Sequence, residues 1–361
     1  MTQEQNRAKT RARDSVLAVL GAATIAALPF AAPAPVRAEV VAQPGQAGVP
    51  YKGMPALAPI GVRVDHYLPV PGPAAPPVDP AKGYRIQDLG TGLYMVTDNA
   101  YQSMFMVYET GVVVIDAPPG YSAKIRQAIA EVTDRPITHV VYSHAHTDHI
   151  GGVTDLGGHP TIIAHEETRR LLARANDPKR PLPTVVFKDR YVLKVGSQTL
   201  ELSYPGVAHE PGNIFIYAPR QKTLMIIDVV FPGWMPWRRW ALAKDVPGYF
   251  AQVAEIDRVP FETLVGGHVN RVGTHDDVRA QLEFMNDVKA AAATALKTTA
   301  LGGEMADNDK ANPWAVFDNY IDRVVVQCVD AVTPKWQSRL AGYDVYIWDQ
   351  CYAMEQSLRI D

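Results

Sequence analysis

The chain has 361 residues, of which 47% are hydrophobic and 20% charged, with a formal net charge of −3. That balance belongs to a folded globular protein and excludes a disordered or fibrous one. The slight acidity argues against a polyanion such as nucleic acid as a partner and leaves small molecules as the expected substrates.

Residues 1–38 carry Arg7, Lys9, Arg11 and Arg13 ahead of an apolar run from Val16 to Ala32, and close on Val36-Arg37-Ala38. This is the layout of a secretory signal peptide cleaved after Ala38. Pro29 and Pro33 interrupt the run and hold it below the roughly 20 residues needed to cross a bilayer, and no other stretch is a candidate span. Ala12 separates Arg11 from Arg13, so general export is expected rather than the twin-arginine route. The mature chain is therefore expected in the periplasm or outside the cell, free of the membrane. Without the five basic and two acidic residues of this segment, 30 basic and 36 acidic groups remain, a net charge of −6.

Ten prolines fall in residues 39–80, which rules out a helix or a central strand there and predicts a linker or an extended arm. Regular patterning begins at Tyr84. β-Rich runs at 92–97, 103–108 and 112–115 precede an amphipathic helix at 121–132, and a β-branched run at 137–142 follows. A strand at 161–164 and a helix at 165–175 come next. Four more strands are expected at 191–195, 199–204, 213–217 and 223–227, then helices at 247–258 and 274–299 with a β run at 263–265 between them. Strands then helix, twice over, predicts two sheets packed face to face with helices outside. Residues 300–361 read as a helical extension in which Pro313 opens a helix and Pro334 breaks it. The only cysteines, Cys328 and Cys351, lie in this extension; a disulfide across the 22 intervening residues and two separate buried thiols are both open.

The run from 137 ends in Ser143-His144-Ala145-His146-Thr147-Asp148-His149-Ile150-Gly151-Gly152. Side chains two apart in an extended segment point the same way, so His144 and His146 can converge on one point. Asp148 and His149 follow where the chain turns, Gly151-Gly152 permits a tight turn, and the two side chains can serve a second point nearby. Such a spacing arises by chance roughly once in a few thousand chains of this length. More ligands are available just past later β runs: His209 in Gly206-Val207-Ala208-His209-Glu210-Pro211-Gly212, Asp228 after Leu224-Met225-Ile226-Ile227, and His268 after Val265-Gly266-Gly267.

Together these residues resemble the metallo-β-lactamase superfamily, over about residues 84–299. The resemblance implies an α/β fold of the αββα sandwich type with metals at one edge. Carried over position by position, it implies one metal on His144, His146 and His209, a second on Asp148, His149 and His268, and Asp228 as the bridge. Asp116 is similar to the buried aspartate that buttresses the metal loop. Two divalent ions are expected, zinc first, with iron or manganese also compatible with nitrogen and oxygen ligands. An aspartate at position 228 is similar to the glyoxalase II type of thioesterase and to the homoserine-lactone lactonases, whereas the best-known zinc β-lactamases place cysteine there. The implied reaction is attack on a lactone, ester or thioester carbonyl by a hydroxide held between the metals, with Asp148 orienting it and taking its proton. β-Lactam or amide hydrolysis, an iron oxidoreductase and a non-catalytic metal-binding protein are the competing readings.

One position departs from the lactonases. They carry a tyrosine three residues after the bridging aspartate, where this chain has Phe231, so another donor is expected; Tyr249 and Asn213 are the candidates. Trp234, Trp237 and Trp240 fall within seven residues, flanked by Phe231 and Met235. They serve either as core beneath the C-terminal helices or as an apolar wall of the substrate pocket, to which Phe231, Trp234 and Trp237 are assigned. His66, His139, His159, His165 and His275 match no ligand position, although His139 stands close enough to the cluster for a supporting role.

Overall fold

The computed structural model describes residues 67–69, 77–269 and 271–361. The expected signal peptide and most of the expected arm lie outside the described residues. Of the arm, Leu68 is tied to the body by its backbone N–H, which donates to Asp344 Oδ2 at 2.7 Å.

Two sheets form the centre. The first has seven strands in sequence order: β1 (Arg85–Asp88), β2 (Leu93–Thr97), β3 (Gln102–Tyr108), β4 (Gly111–Ile115), β5 (Ile137–Val141), β6 (Thr161–His165) and β7 (Val185–Phe187). Its first four are antiparallel and its last four run parallel. The second sheet has the order β12 (Thr263–Val265), β11 (Thr223–Met225), β10 (Phe215–Ala218), β9 (Gln198–Ser203) and β8 (Arg190–Val195). It is antiparallel except for the parallel β11–β12 pair.

The alternation of side chains along the strands sets the layers. Met104, Met106, Val113 and Ile115 point to the middle of the sandwich, where they meet Leu200, Leu202, Ile216 and Met225 of the other sheet. Phe105, Val112 and Val114 point outward and pack under α1 (Ser122–Val132), whose Ile125, Ala128 and Ile129 form one buried stripe. α3 (Glu166–Ala175) closes the same side through Leu172. Because both faces are covered, the central strand β4 is apolar throughout, and all five of its residues are buried. On the far side, α5 (Val246–Ile256), α6 (His275–Thr298), α8 (Pro313–Trp336) and α9 (Tyr343–Ile360) pack against Phe215 and Leu224. Layers of helix, sheet, sheet and helix give the αββα sandwich, with the C-terminal helices continuing its second helical layer. Short helical turns α2 (Thr147–Ile150), α4 (Arg238–Leu242) and α7 (Asp307–Lys310) complete the helices, and Val153–Leu156 forms a 3-10 turn. Among the described residues no helix is long and apolar enough to cross a membrane.

Helix ends follow local chemistry. Asp245 caps α5 through Gly248 N–H, Thr274 and Asp277 form a reciprocal capping box at the start of α6, and Asn312 accepts from Trp314 and Ala315 ahead of Pro313. Pro334 does not break α8 where the sequence suggests: it sits inside the last turn, and the helix ends two residues later at Trp336. So near the end, the missing N–H removes a single backbone bond and the helix tolerates it. Cys328 and Cys351 form a disulfide, S–S 2.08 Å, that pins α8 to α9.

Candidate metal centre

All the sequence-predicted ligands come together at one edge of the sandwich, on segments that follow the carboxyl ends of β5, β9, β11 and β12. Loops at strand carboxyl ends are where α/β folds build their sites, because the sheet holds their starting points rigid. The ligand atoms form two sets, and within each set they all lie within 4.8 Å of one another: His144, His146, His209 and Asp228 in one, Asp148, His149 and His268 in the other.

Asp228 stands between the sets. Its Oδ2 lies 3.6 Å from His144 Nε2, 3.2 Å from His209 Nε2 and 3.1 Å from His149 Nε2, while Oδ1 lies 3.0 Å from His268 Nε2. Its backbone has φ 62°, a left-handed value unusual outside glycine, and its N–H is fixed by Gly266 O at 3.2 Å. Asp148 faces the second set, 3.6 Å from His149 Nε2 and 3.9 Å from His268 Nε2, and is half exposed to the pocket. α2 carries Asp148 and His149 and turns them away from the extended His144–His146 segment.

Hydrogen bonds on the far side of the rings fix which nitrogen faces the centre. His209 Nδ1–H donates to Ala241 O, and His268 Nδ1–H donates to Ala100 O at 3.1 Å, so in both rings Nε2 keeps its lone pair for the site. His146 turns Nδ1 inward, 3.0 Å from His209 Nε2, with its Nε2 3.4 Å from Glu210 Oε2. Ser143 Oγ lies 2.9 Å from His144 Nδ1, and His144 Nε2 is buried with no hydrogen-bond partner. An orphaned buried nitrogen, aimed at three more imidazoles and a carboxylate, is what a cation would satisfy, and nitrogen and oxygen donors suit zinc, iron or manganese. The cluster is thus able to hold metal ions.

Electrostatics agree. Burial, then the neighbouring histidines, keep His144 well below the usual imidazole range, and therefore neutral. Burial opposes the charge on Asp228, yet His149, His209 and His268 hold its carboxyl well below the usual range. Glu210 is also held low: its burial is outweighed by His146 and Lys244.

Asp116 is hydrogen-bonded to the start of the histidine loop. Its buried Oδ1 accepts Ser143 N–H at 2.8 Å, its own N–H donates to Val141 O, and burial pushes its carboxyl up to about 6 against the pull of His149 and Ser143. Gly151 and Gly152 play a different part from the one the sequence suggests. Neither has a left-handed φ. A Cβ at Gly152 would instead lie 2.4 Å from Pro118 O and 2.5 Å from Ser122 Oγ, so these glycines let the loop press against the end of β4.

A cavity of about 590 Å³ opens over the centre. Phe231, Trp234 and Trp237 line it. Trp240 does not: it is fully buried against Phe250 and Phe284 beneath the C-terminal helices, so the tryptophan cluster is divided between pocket and core. The two donors proposed to replace the missing tyrosine point elsewhere. Tyr249 OH donates to Val229 O at 2.6 Å and Asn213 Nδ2 to Ile227 O at 2.8 Å, both buried beneath the site. A phenol that lines the pocket beside the ligands is Tyr101, with its ring 4.8 Å from that of His268. His139 plays no part: its Nδ1 meets Thr138 Oγ1 on the middle of the first sheet. His165 and His275 are likewise engaged away from the centre, and His159 is exposed.

A family model for the metallo-beta-lactamase superfamily matches residues 96–291. The chain belongs to the metallo-beta-lactamase superfamily. This membership places it among enzymes that are generally metallo-hydrolases. The superfamily relatives include 2,4-dinitroanisole O-demethylase subunit alpha of Nocardioides sp. (strain JS1661), 29% identical over 44% of this chain and 55% of that protein. Subunit beta of the same name and organism is 26% identical over 74% of this chain and 79% of its own length. Metallo-beta-lactamase type 2 of Elizabethkingia meningoseptica is 27% identical over 39% of this chain and 60% of that one. The match thus spans about half of the alpha subunit. Among solved structures, a metallo-beta-lactamase from Pontibacter korlensis aligns with a TM-score of 0.48 and 21% identity, over 55% of this chain and 97% of that one.

Proposed function

We propose that this superfamily member is a dinuclear hydrolase of esters, lactones or thioesters. The observation that carries the reading is the Asp228 carboxylate, seated with one oxygen toward His144, His149 and His209 and the other toward His268. His144, His146 and His209 would hold one ion and Asp148, His149 and His268 the other, with Asp228 shared and zinc the first choice of metal. Ions held there would supply Lewis acidity and bring the pKa of water from 15.7 toward about 7. Asp148, half exposed at the pocket floor, orients the attacking water, takes its proton and delivers it to the leaving group. Tyr101 donates to the substrate oxygen from the opposite wall. Burial, with Asp148 and Asp228 nearby, raises its pKa and keeps it a phenol at neutral pH.

The amino-terminal sequence and the Cys328–Cys351 disulfide both support work in an oxidising compartment, the periplasm or the medium. A second reading, O-demethylation of an aromatic ether, takes its substrate from the names of two relatives and is favoured by the aromatic lining of the pocket.

The test is a panel of a γ-lactone, an aryl ester, a thioester, 2,4-dinitroanisole and a chromogenic cephalosporin, run alongside metal analysis. Turnover of the acyl substrates, abolished by chelation and restored by zinc, supports the first reading. Turnover of the cephalosporin alone overturns it.

A further inference from the structure

The pocket wall opposite the metal ligands is built partly by the C-terminal segment. Trp234 and Ala341 form a parallel bridge, and Gly342 takes φ 67° where α9 begins. This brings Val345 and Tyr346 to the mouth of the cavity. There the Tyr346 ring lies 4.9 Å from that of Trp237 at 56°. Trp237 remains 53% exposed, although Trp240, three residues on, is fully buried. A half-exposed indole at the lip of a cavity, held on a neighbouring ring, is an unfilled aromatic contact surface.

The charges around this wall are equally informative. Among the described residues no lysine or arginine lines the cavity. Beside the mouth, Arg238 Nε lies 3.2 Å and Arg239 Nε 3.6 Å from the single carboxylate of Asp349, and the Arg238 guanidinium lies over the Tyr346 ring, 5.9 Å from its centroid, so that ring already meets a cation.

We propose that this wall selects substrates that present a planar aromatic group. The proposal rests on the hydrolase reading for its reaction, but the recognition it describes does not depend on turnover. A substrate's carbonyl would lie over the Asp148–Asp228 floor while its ring rests on Trp234 and enters the angle between Trp237 and Tyr346.

The experiment compares benzyl acetate and cyclohexylmethyl acetate, which share a similar alcohol leaving group and differ in the planarity of the ring. The expected kcat/KM favours benzyl over cyclohexylmethyl about three- to tenfold, the worth of aromatic contacts. Trp237→Ala and Tyr346→Leu should each pull the benzyl to cyclohexylmethyl ratio toward one. Equal rates for the pair overturn the proposal. If neither is hydrolysed, the hydrolase reading has failed on its own. The corresponding methyl ethers, titrated against tryptophan fluorescence, then decide the recognition: tighter binding of benzyl methyl ether supports it, and equal binding of both overturns it.

Discussion

The imidazole of His209 is held by the carbonyl of Ala241, and Ala241 lies in a left-handed turn of four non-glycine residues, Arg239 to Leu242, with φ between 54° and 58°. Each such residue costs about 1 kcal/mol or more. Gln350, fully buried in α9, offsets that strain: its Oε1 accepts Trp240 N–H at 2.6 Å and its Nε2 donates to Pro236 O at 2.7 Å and Trp237 O at 3.0 Å. A C-terminal glutamine thus orients a ligand of the centre through the turn. Gln350→Ala is expected to destabilise the fold by about 2–4 kcal/mol, since it strands buried backbone groups. It should also weaken metal binding about tenfold in chelator competition, as loss of a ligand's supporting contact does elsewhere. A lower melting temperature with unchanged metal affinity and an unchanged cobalt spectrum would show that the glutamine supports only the fold.

Asp148 and Asp228 should separate in mutants. Asp148 is half exposed and faces one set of ligands, whereas Asp228 is buried among four imidazoles. Asp148→Ala is expected to cut kcat about 10²- to 10⁴-fold, the range for a lost general base, while at least one equivalent of metal remains. Asp228→Ala removes the only carboxylate among the described residues that contacts both sets and should leave the purified protein with much less metal. Near-normal turnover of a fully metallated Asp148→Ala protein sinks the role given to that residue.

Why the centre was legible in the sequence and its surroundings were not has a physical basis. Four ligands fall within six residues because a strand end followed by a short helix can aim them all at one volume, and that crowding survives in the linear sequence. The central strands are equally plain, since β4 is covered on both faces and is apolar throughout, and β5 ends in the buried pair Val140-Val141. β1, with the sequence Arg-Ile-Gln-Asp, and the three-residue β7 are edge strands and carry too little pattern to register. Glu210 was visible as a carboxylate beside a ligand, but only the fold shows that it reaches His146 rather than the centre. The left-handed turn at 239–242 contains no glycine or asparagine to announce it; it exists because Gln350, about 110 residues later, holds it. Tyr101 reaches the site through an isolated bridge to His268, a contact that no local periodicity encodes.

The disulfide is the fastener of the wall that α9 contributes. Cys328 and Cys351 are both buried and join α8 to α9 across 23 positions of sequence. A cross-link closing a loop of this length contributes about 3 kcal/mol, chiefly by restricting the unfolded chain. The double substitution Cys328→Ser and Cys351→Ser is expected to lower the unfolding free energy by about 2–4 kcal/mol in urea titrations. The loss should match that produced by reducing the wild type with dithiothreitol. Coincident unfolding curves for oxidised and reduced wild type would rule the cross-link out as a source of stability.

Tyr101 carries the last prediction. Phe231 cannot donate a hydrogen bond, and its ring lies nearly parallel to that of His268, 6.2 Å away, so it serves as wall. Tyr101 flanks the same imidazole at 4.8 Å, and its N–H is anchored by Asp98 Oδ1 at 2.9 Å. Its hydroxyl makes no hydrogen bond among the described residues, which leaves it free to serve a ligand. If that hydroxyl supports the charge developing on the substrate oxygen, Tyr101→Phe should lower kcat about 10- to 100-fold and leave KM within about threefold. The double variant Tyr101→Phe with Phe231→Tyr should recover part of the loss, because the phenol is then restored on the neighbouring wall. A Tyr101→Phe protein that changes KM alone would assign the ring to binding and leave the oxygen without a protein donor.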